Sequence, residues 1–291
     1  LLERYRNKYR CFNDDIQGTG SVTLSGLLSA ARNAGTSVKD LRIVCAGAGS
    51  AGLGVCQQIL DGMVEAGLTH EEAQKNFCVL TSKGALGKAD GAKGDPNHSS
   101  GRINDLTRPW VNEGVSDGLS LHELIEEFKP NTLLGLSTQK GIFDKEACQL
   151  IAAIHDRPII MPMSNPTSKS ECTPQQAYEW TDYRAVVATG SPFDAVEKPD
   201  GTVLIPSQCN NMYIFPGIGL AASISGICLN CKTLFLFFFP SFQCALSLIT
   251  ARLNLYSFIH SLLFSGAEME FLICFWASEH ATKHRCSDDY R

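Results

Sequence analysis

Short apolar runs alternate with amphipathic stretches along the chain up to about Gly226. Residues 41–46 (LRIVCA) form a compact apolar run ending in glycines, the pattern of a buried strand. Residues 50–65 then carry helical spacing, and Thr69 with Glu72 has capping-box spacing that opens a shorter helix. Residues 77–80 predict a second strand. A second capping box, Ser120 with Glu123, opens a helix to Phe128, and residues 132–136 predict a third strand. Residues 144–155 are amphipathic, and residues 159–163 and 185–188 add two more strands. Between them Thr173-Pro174 starts a helix, with Thr as cap and Pro at the first position. Strands and helices alternating at this spacing imply right-handed crossovers and a doubly wound parallel α/β sheet. Ligands of such sheets bind just beyond the carboxyl ends of strands, where the Gly47 turn, Thr81, Ser137, Asn165 and Gly190 fall.

The pattern breaks from Cys228 onward. Residues 234–251 carry no charge over 18 positions, near the lower length for a membrane span, but Pro240 and Gln243 interrupt them and Arg252 closes them. Aromatic crowding of this kind also arises when a non-coding stretch is translated, and that reading is favoured over a membrane anchor. The composition, 44% hydrophobic and 19% charged over 291 residues, suits a globular enzyme with a substantial core. A net charge of −5 gives no general attraction to nucleic acid or anionic membranes. The twelve cysteines lack the spacing of a disulfide framework; Cys45, Cys56 and Cys78 sit in apolar periodic segments, which points to buried thiols and a reducing compartment. The chain starts at Leu1 and its first methionine is Met63, so no targeting peptide is read and the sequence is expected to be a fragment.

Gly47-Ala48-Gly49-Ser50-Ala51-Gly52 is GxGxxG, placed after a predicted strand and at the start of a predicted helix. In that setting backbone N–H groups and the helix dipole hold a pyrophosphate: the first glycine permits the turn, the second admits the phosphates, and the third lets helix and strand pack. At the ribose end the second strand runs into Thr81-Ser82-Lys83, with no carboxylate. A cation and two hydroxyls suit the 2′-phosphate of NADP, whereas NAD sites commonly carry an acid there. Asp14 and Asp15, beside Asn13 and before a predicted helix, offer oxygen ligands for Mg²⁺ or Mn²⁺; the bland alternative is acids at a helix N-terminus. Asn165, in Ser164-Asn165-Pro166-Thr167, and Asn210 offer an uncharged donor and acceptor to a carboxylate or carboxamide, although Asn-Pro also simply makes turns.

Taken in order, these motifs resemble the malic enzymes. The resemblance runs from about Tyr5 to Gly226 and is carried by residues 12–19 (FNDDIQGT), 47–52 (GAGSAG), 164–167 (SNPT), 190–193 (GSPF) and 210–217 (NNMYIFPG). It implies a Rossmann-like NAD(P)-binding domain at residues 36–227. A remnant of the family's N-terminal domain at residues 1–35 carries the metal motif, and residues 228–291 form an irregular hydrophobic tail. It implies oxidation of malate with NAD or NADP and a divalent metal, Mg²⁺ or Mn²⁺, followed by decarboxylation to pyruvate and CO₂. By position, Asp14 is implied as catalytic and as a metal neighbour. Asp15 is implied as the third metal carboxylate and as a cofactor contact. Asn165 and Asn210 are implied at malate, with Asn165 also at the nicotinamide end, and residues 47–52 and 81–83 at the dinucleotide. The resemblance also implies a homo-oligomer in cytoplasm or mitochondrion. The family's Tyr acid, Lys base and first two metal ligands have no counterpart in the sequence, so the chain by itself is expected to be inactive. The rival readings are a non-catalytic dinucleotide-binding fragment and a membrane-tethered protein.

Overall fold

The computed structural model describes residue 5 and residues 11–88 and 103–217. The tract at residues 234–251, with the whole tail from residue 228, lies outside the described residues. Among those described, no helix is long and apolar enough to cross a membrane.

Eleven strands are described: β1 (Ile43–Ala46), β2 (Phe77–Thr81), β3 (Gly84–Ala85), β4 (Gly87–Lys88), β5 (Asn112–Ser116), β6 (Thr132–Gly135), β7 (Ile159–Pro162), β8 (Val186–Thr189), β9 (Val196–Glu197), β10 (Val203–Leu204) and β11 (Ser207–Gln208). Six α-helices accompany them: α1 (Thr19–Ala34), α2 (Ser50–Glu65), α3 (His70–Lys75), α4 (Leu121–Phe128), α5 (Lys145–Ile154) and α6 (Pro174–Trp180). The main sheet runs β11-β8-β7-β6-β1-β2-β3. All its neighbours pair in parallel except β3, which folds back antiparallel on β2.

The central strands β1, β6 and β7 are buried at every position, as a sheet covered on both faces requires. On one face Val44, Leu80, Leu133 and Ile160 pack with Leu124, Phe128, Ile151 and Tyr178 from α4, α5 and α6. On the other, α1 packs against α2, and Gly26 of α1 backs onto Met161 of β7. The two capping boxes expected at Thr69 and Ser120 form, and the Thr173 cap proves to be a third full box through Gln176. Thr69, Ser120 and Thr173 each accept from the backbone N–H three residues on, and Glu72, Glu123 and Gln176 reach back to the cap N–H. Helix α1 ends on Gly35, whose φ of 77° is the left-handed cap that glycine adopts freely.

Several boundaries differ from the sequence reading. Strand β1 begins at Ile43, because Leu41 closes a 3-10 turn (Val38–Asp40) and the Arg42 N–H goes to the Asn131 side chain at 2.8 Å. Asp144 caps α5 and is not its first residue, while β8 lies one residue later than expected. The short strands β3, β4, β9, β10 and β11 were not anticipated, since two residues are too few to show alternation. Nor was β5, whose mostly exposed sequence Asn112-Glu113-Gly114-Val115-Ser116 carries one buried residue.

Asp144 joins two helices of the same face. Its Oδ1 accepts the Ala147 N–H at 2.9 Å and faces His122 Nε2 of α4 at 2.9 Å. Asp144→Ala removes the cap and this bridge together, and is expected to cost about 1–2 kcal/mol, read as a lower urea midpoint at unchanged slope.

Candidate functional site

The chain leaves β1 to one side to form β2 and crosses to the other side to form β6, so the order of the sheet reverses between β1 and β6. The glycine turn sits at that point. Gly47 has a φ of 130°, and its N–H donates to the Leu80 carbonyl at 2.9 Å. A Cβ on Gly47 would lie 2.4 Å from the Leu136 carbonyl oxygen, and one on Gly52 would lie 2.1 Å from the Gly47 oxygen. Gly49 differs: nothing lies within 4 Å of where its Cβ would be. It is also the N-cap of α2 and supplies no side-chain cap. Ala48 and Ala51 are half-buried, while Gly49 and Ser50 are exposed. A helix start whose N-cap residue supplies no side-chain cap, entered through an open glycine at the reversal of strand order, fits a dinucleotide pyrophosphate.

The other carboxyl ends line up along the same edge. Thr81 closes β2, and its hydroxyl donates to the Gly84 carbonyl at 2.8 Å and accepts the Lys83 N–H at 3.1 Å, so it is engaged in the β2–β3 turn. Ser82 and Lys83 are exposed at that turn. Asn165 is exposed in the loop after β7, and its peptide bond to Pro166 is cis. Asn210 is engaged by backbone: its Nδ2 donates to the Gly190 carbonyl at 3.0 Å and its Oδ1 accepts the Met212 N–H at 3.0 Å.

Asp14 and Asp15 open a short π-type turn (Asp14–Gly18), capped by the Asn13 side chain, which accepts the Ile16 N–H at 2.9 Å. This turn lies against α2, where Ile16 approaches Gly54. Asp14 Oδ2 accepts the Asn211 side-chain amide at 2.6 Å, a partner that sequence reasoning missed in favour of the neighbouring Asn210. Asp14 Oδ1 is buried with no hydrogen-bond partner among the described residues. Burial and the adjacent Asp15 charge raise the Asp14 pKa above its usual value, against the opposing bond from Asn211. Asp15 is exposed. An orphaned carboxylate oxygen suits a hard cation in donor chemistry, but among the described residues no three His, Cys, Asp or Glu side chains converge on one point.

A second residue missed by sequence reasoning is Glu171, fully buried at the β6 and β7 ends and bonded to Ser137 and Ser164. A cavity of 460 Å³ near Arg157, Tyr183 and Arg184 lies by the start of β8, away from this edge.

The family model described as "Malic enzyme, NAD binding domain" matches residues 16–237. The chain belongs to the malic enzyme family. It is 45% identical over 225 residues to an NADP-dependent malic enzyme of Dictyostelium discoideum, covering 77% of this chain and 40% of that protein. It is equally 45% identical over 228 residues to an NAD-dependent malic enzyme of Erwinia tasmaniensis, covering 78% of this chain and 40% of that one. The chain thus spans about 40% of the length of these curated relatives. Among solved structures it resembles the malic enzyme of Entamoeba histolytica, with a TM-score of 0.55 and 27% identity over 77% of this chain and 40% of that one. The NAD-dependent malic enzyme of Thermotoga maritima gives 0.54 and 26% over 75% and 48%. As a malic enzyme NAD-binding domain, the chain has the Rossmann-like sheet that its motifs imply, and it is built to bind NAD or NADP.

The glycine geometry separates packing from binding. Gly52→Ala drives a methyl into backbone and is expected to cost about 2–3 kcal/mol in urea denaturation. Gly49→Ala meets open space, and its loss of cap quality is offset by reduced unfolded-state entropy, so a change within about 1 kcal/mol is expected.

Proposed function

We propose that the chain is the dinucleotide-binding part of an enzyme that oxidises malate with NAD or NADP and decarboxylates the product to pyruvate and CO₂. The observation that carries this reading is the open Gly49 at the β1–β6 reversal, which as N-cap of α2 supplies no side-chain cap. In this reading residues 47–52 hold the pyrophosphate. Asn165 and Asn210 lie toward malate, with Asn165 also at the nicotinamide end, and Asp14 stands at the reacting centre. Asp14 and Asp15 would lend oxygen ligands to a divalent cation whose other ligands come from outside the described residues, and Asp15 would also contact the cofactor. Such a cation, when bound, supplies Lewis-acid polarisation of the substrate oxygen. Asn211, by donating to Asp14 Oδ2, fixes which carboxylate oxygen is left for other partners.

Calorimetric titration with NAD and with NADP tests the site. Gly49→Val puts a branched side chain where the phosphates must approach, and at least a tenfold loss of affinity for both cofactors is expected. Equal affinity in the variant and parent would remove the glycine turn from the binding site.

We further propose a preference for NADP, resting on Lys83 and Ser82 at the end of β2 and on the missing acid there. The relatives do not decide the matter, since an NADP-dependent and an NAD-dependent enzyme are equally identical to this chain. Lys83→Ala is expected to weaken NADP binding by about fivefold and to leave NAD binding within about twofold, because only NADP carries the 2′-phosphate. A uniform response to both cofactors would reduce Lys83 to an ordinary turn residue.

A further inference from the structure

Glu171 has no exposed surface, yet among the described residues no Lys or Arg side chain bonds its carboxylate. Four donors from two loops converge on it instead. Its Oε1 accepts the Ser137 N–H at 2.9 Å, the Ser137 hydroxyl at 2.9 Å and the Ser164 hydroxyl at 2.5 Å. Its Oε2 accepts the Ser164 N–H at 3.3 Å. The two hydroxyls also accept: Ser164 Oγ takes the Thr138 N–H at 2.9 Å, and Ser137 Oγ takes the Gln139 N–H at 3.1 Å. A hydroxyl has a single proton. With both protons aimed at the carboxylate, the lone pairs are left for Thr138 and Gln139, so Glu171 sets the direction of the whole network.

The network holds a backbone that would not hold itself. Thr138 has a φ of 56°, a left-handed conformation that a β-branched residue enters at a cost of about 1–3 kcal/mol. Its N–H is the one fixed by Ser164. Gly135, the last residue of β6, leaves room for the carboxylate, since a Cβ there would stand 2.5 Å from the carboxylate carbon. Both anchored loops border the dinucleotide crevice. The Ser137 nitrogen lies 3.0 Å from where a Gly47 Cβ would be, and Ser164 directly precedes Asn165.

We propose that Glu171 is a positioning residue of the dinucleotide crevice: through Ser137 and Ser164 it fixes the loops after β6 and β7 in the shape that receives the cofactor. The proposal rests on the crevice reading above. Glu171 touches no reacting atom in this account and acts through the two serines.

The test uses the full chain, titrated with NADH and NADPH by the fluorescence of the bound nicotinamide, alongside hydrogen exchange. Glu171→Gln keeps the shape but turns one acceptor oxygen into an NH₂ that faces other donors. Its affinity for the better-bound of the two dinucleotides is expected to fall at least tenfold, and amides of residues 136–142 to exchange at least tenfold faster, with α1 and α4 unchanged. Asp144→Ala, destabilised on α5, is expected to keep its affinity within about twofold, which separates positioning from general loss of stability. Adding Ser164→Ala to Glu171→Gln is expected to weaken binding no further, since both changes break one network. Should Glu171→Gln not fold, Ser137→Ala removes one of the four donors, and about threefold weaker binding is expected from it. Affinity within twofold in Glu171→Gln, or in Ser137→Ala where that stands in, overturns the proposal, as does a loss no larger than that of Asp144→Ala. No binding by the parent chain would overturn the crevice reading along with it, whereas parent binding beside an indifferent Glu171→Gln overturns this proposal alone.

Discussion

Backbone meets backbone at the carboxyl edge of the sheet, with no side chain between. A Cβ would stand 2.4 Å from the Leu136 oxygen at Gly47, 2.1 Å from the Gly47 oxygen at Gly52, and 2.0 Å from the Met163 oxygen at Gly190. No side chain fits at such separations, so each position is a glycine for reasons of packing. The consequences spread outward. The contact at Gly52 brings the start of α2 down onto the end of β1, and the contact at Gly47 brings the loop after β6 against the same turn. The contact at Gly190 seats the end of β8 against Met163, the residue before Ser164. Strand ends drawn this close put Ser137 and Ser164 within reach of one carboxylate, and of the three fingerprint glycines Gly49 alone keeps open space beside it.

Much of this fold is legible in the sequence, because the signals are local. The capping boxes at Thr69 and Ser120 use side chains three residues apart and form as the spacing implies, and the Thr173 cap before Pro174 forms as well. Strands β1, β6 and β7 stand out as apolar runs because both faces of the sheet are covered. The glycine fingerprint is legible for the same reason: turn, approach and packing fall within six consecutive positions. What is not legible depends on partners far apart in sequence. Glu171 sits in Ser168-Lys169-Ser170-Glu171-Cys172, which reads as a polar loop, and its partners Ser137 and Ser164 come from two other loops. Asn211 is adjacent to the asparagine that the family resemblance singles out, but its amide reaches Asp14 across 197 positions. The two-residue edge strands carry no period at all.

The end of β2 shows how local structure limits a sequence inference. Thr81, Ser82 and Lys83 read together as two hydroxyls and a cation for a phosphate. In the structure the Thr81 hydroxyl is bonded to Gly84 and Lys83 backbone, which is what holds the β2–β3 turn. The exposed Ser82 and Lys83 are then the side chains of the trio whose groups the turn itself does not use, although Lys83 has contacts of its own. In the proposed reading the groups that would distinguish NADP from NAD are thus fewer than the sequence suggests, and they stand at the tip of the antiparallel β2–β3 edge hairpin and not on the buried parallel strands.

Two carboxylates in the described part of the chain have solved the problem of burial in opposite ways. Glu171 is fully buried and saturated: two N–H groups and two hydroxyls meet its two oxygens. A carboxylate so enclosed has little capacity for another partner, and its consequence is mechanical, in the loops it ties. Asp14 receives the Asn211 amide on one oxygen, while its buried Oδ1 has no partner. A buried oxygen left unsatisfied costs about 1–3 kcal/mol, and burial together with the Asp15 charge raises the Asp14 pKa above its usual value. The unsatisfied group is the one with bonding capacity to offer, so an incoming cation is favoured at Asp14. The division follows from counting donors, and it agrees with the roles proposed above: scaffold at the serine-bound glutamate, chemistry at the half-bonded aspartate.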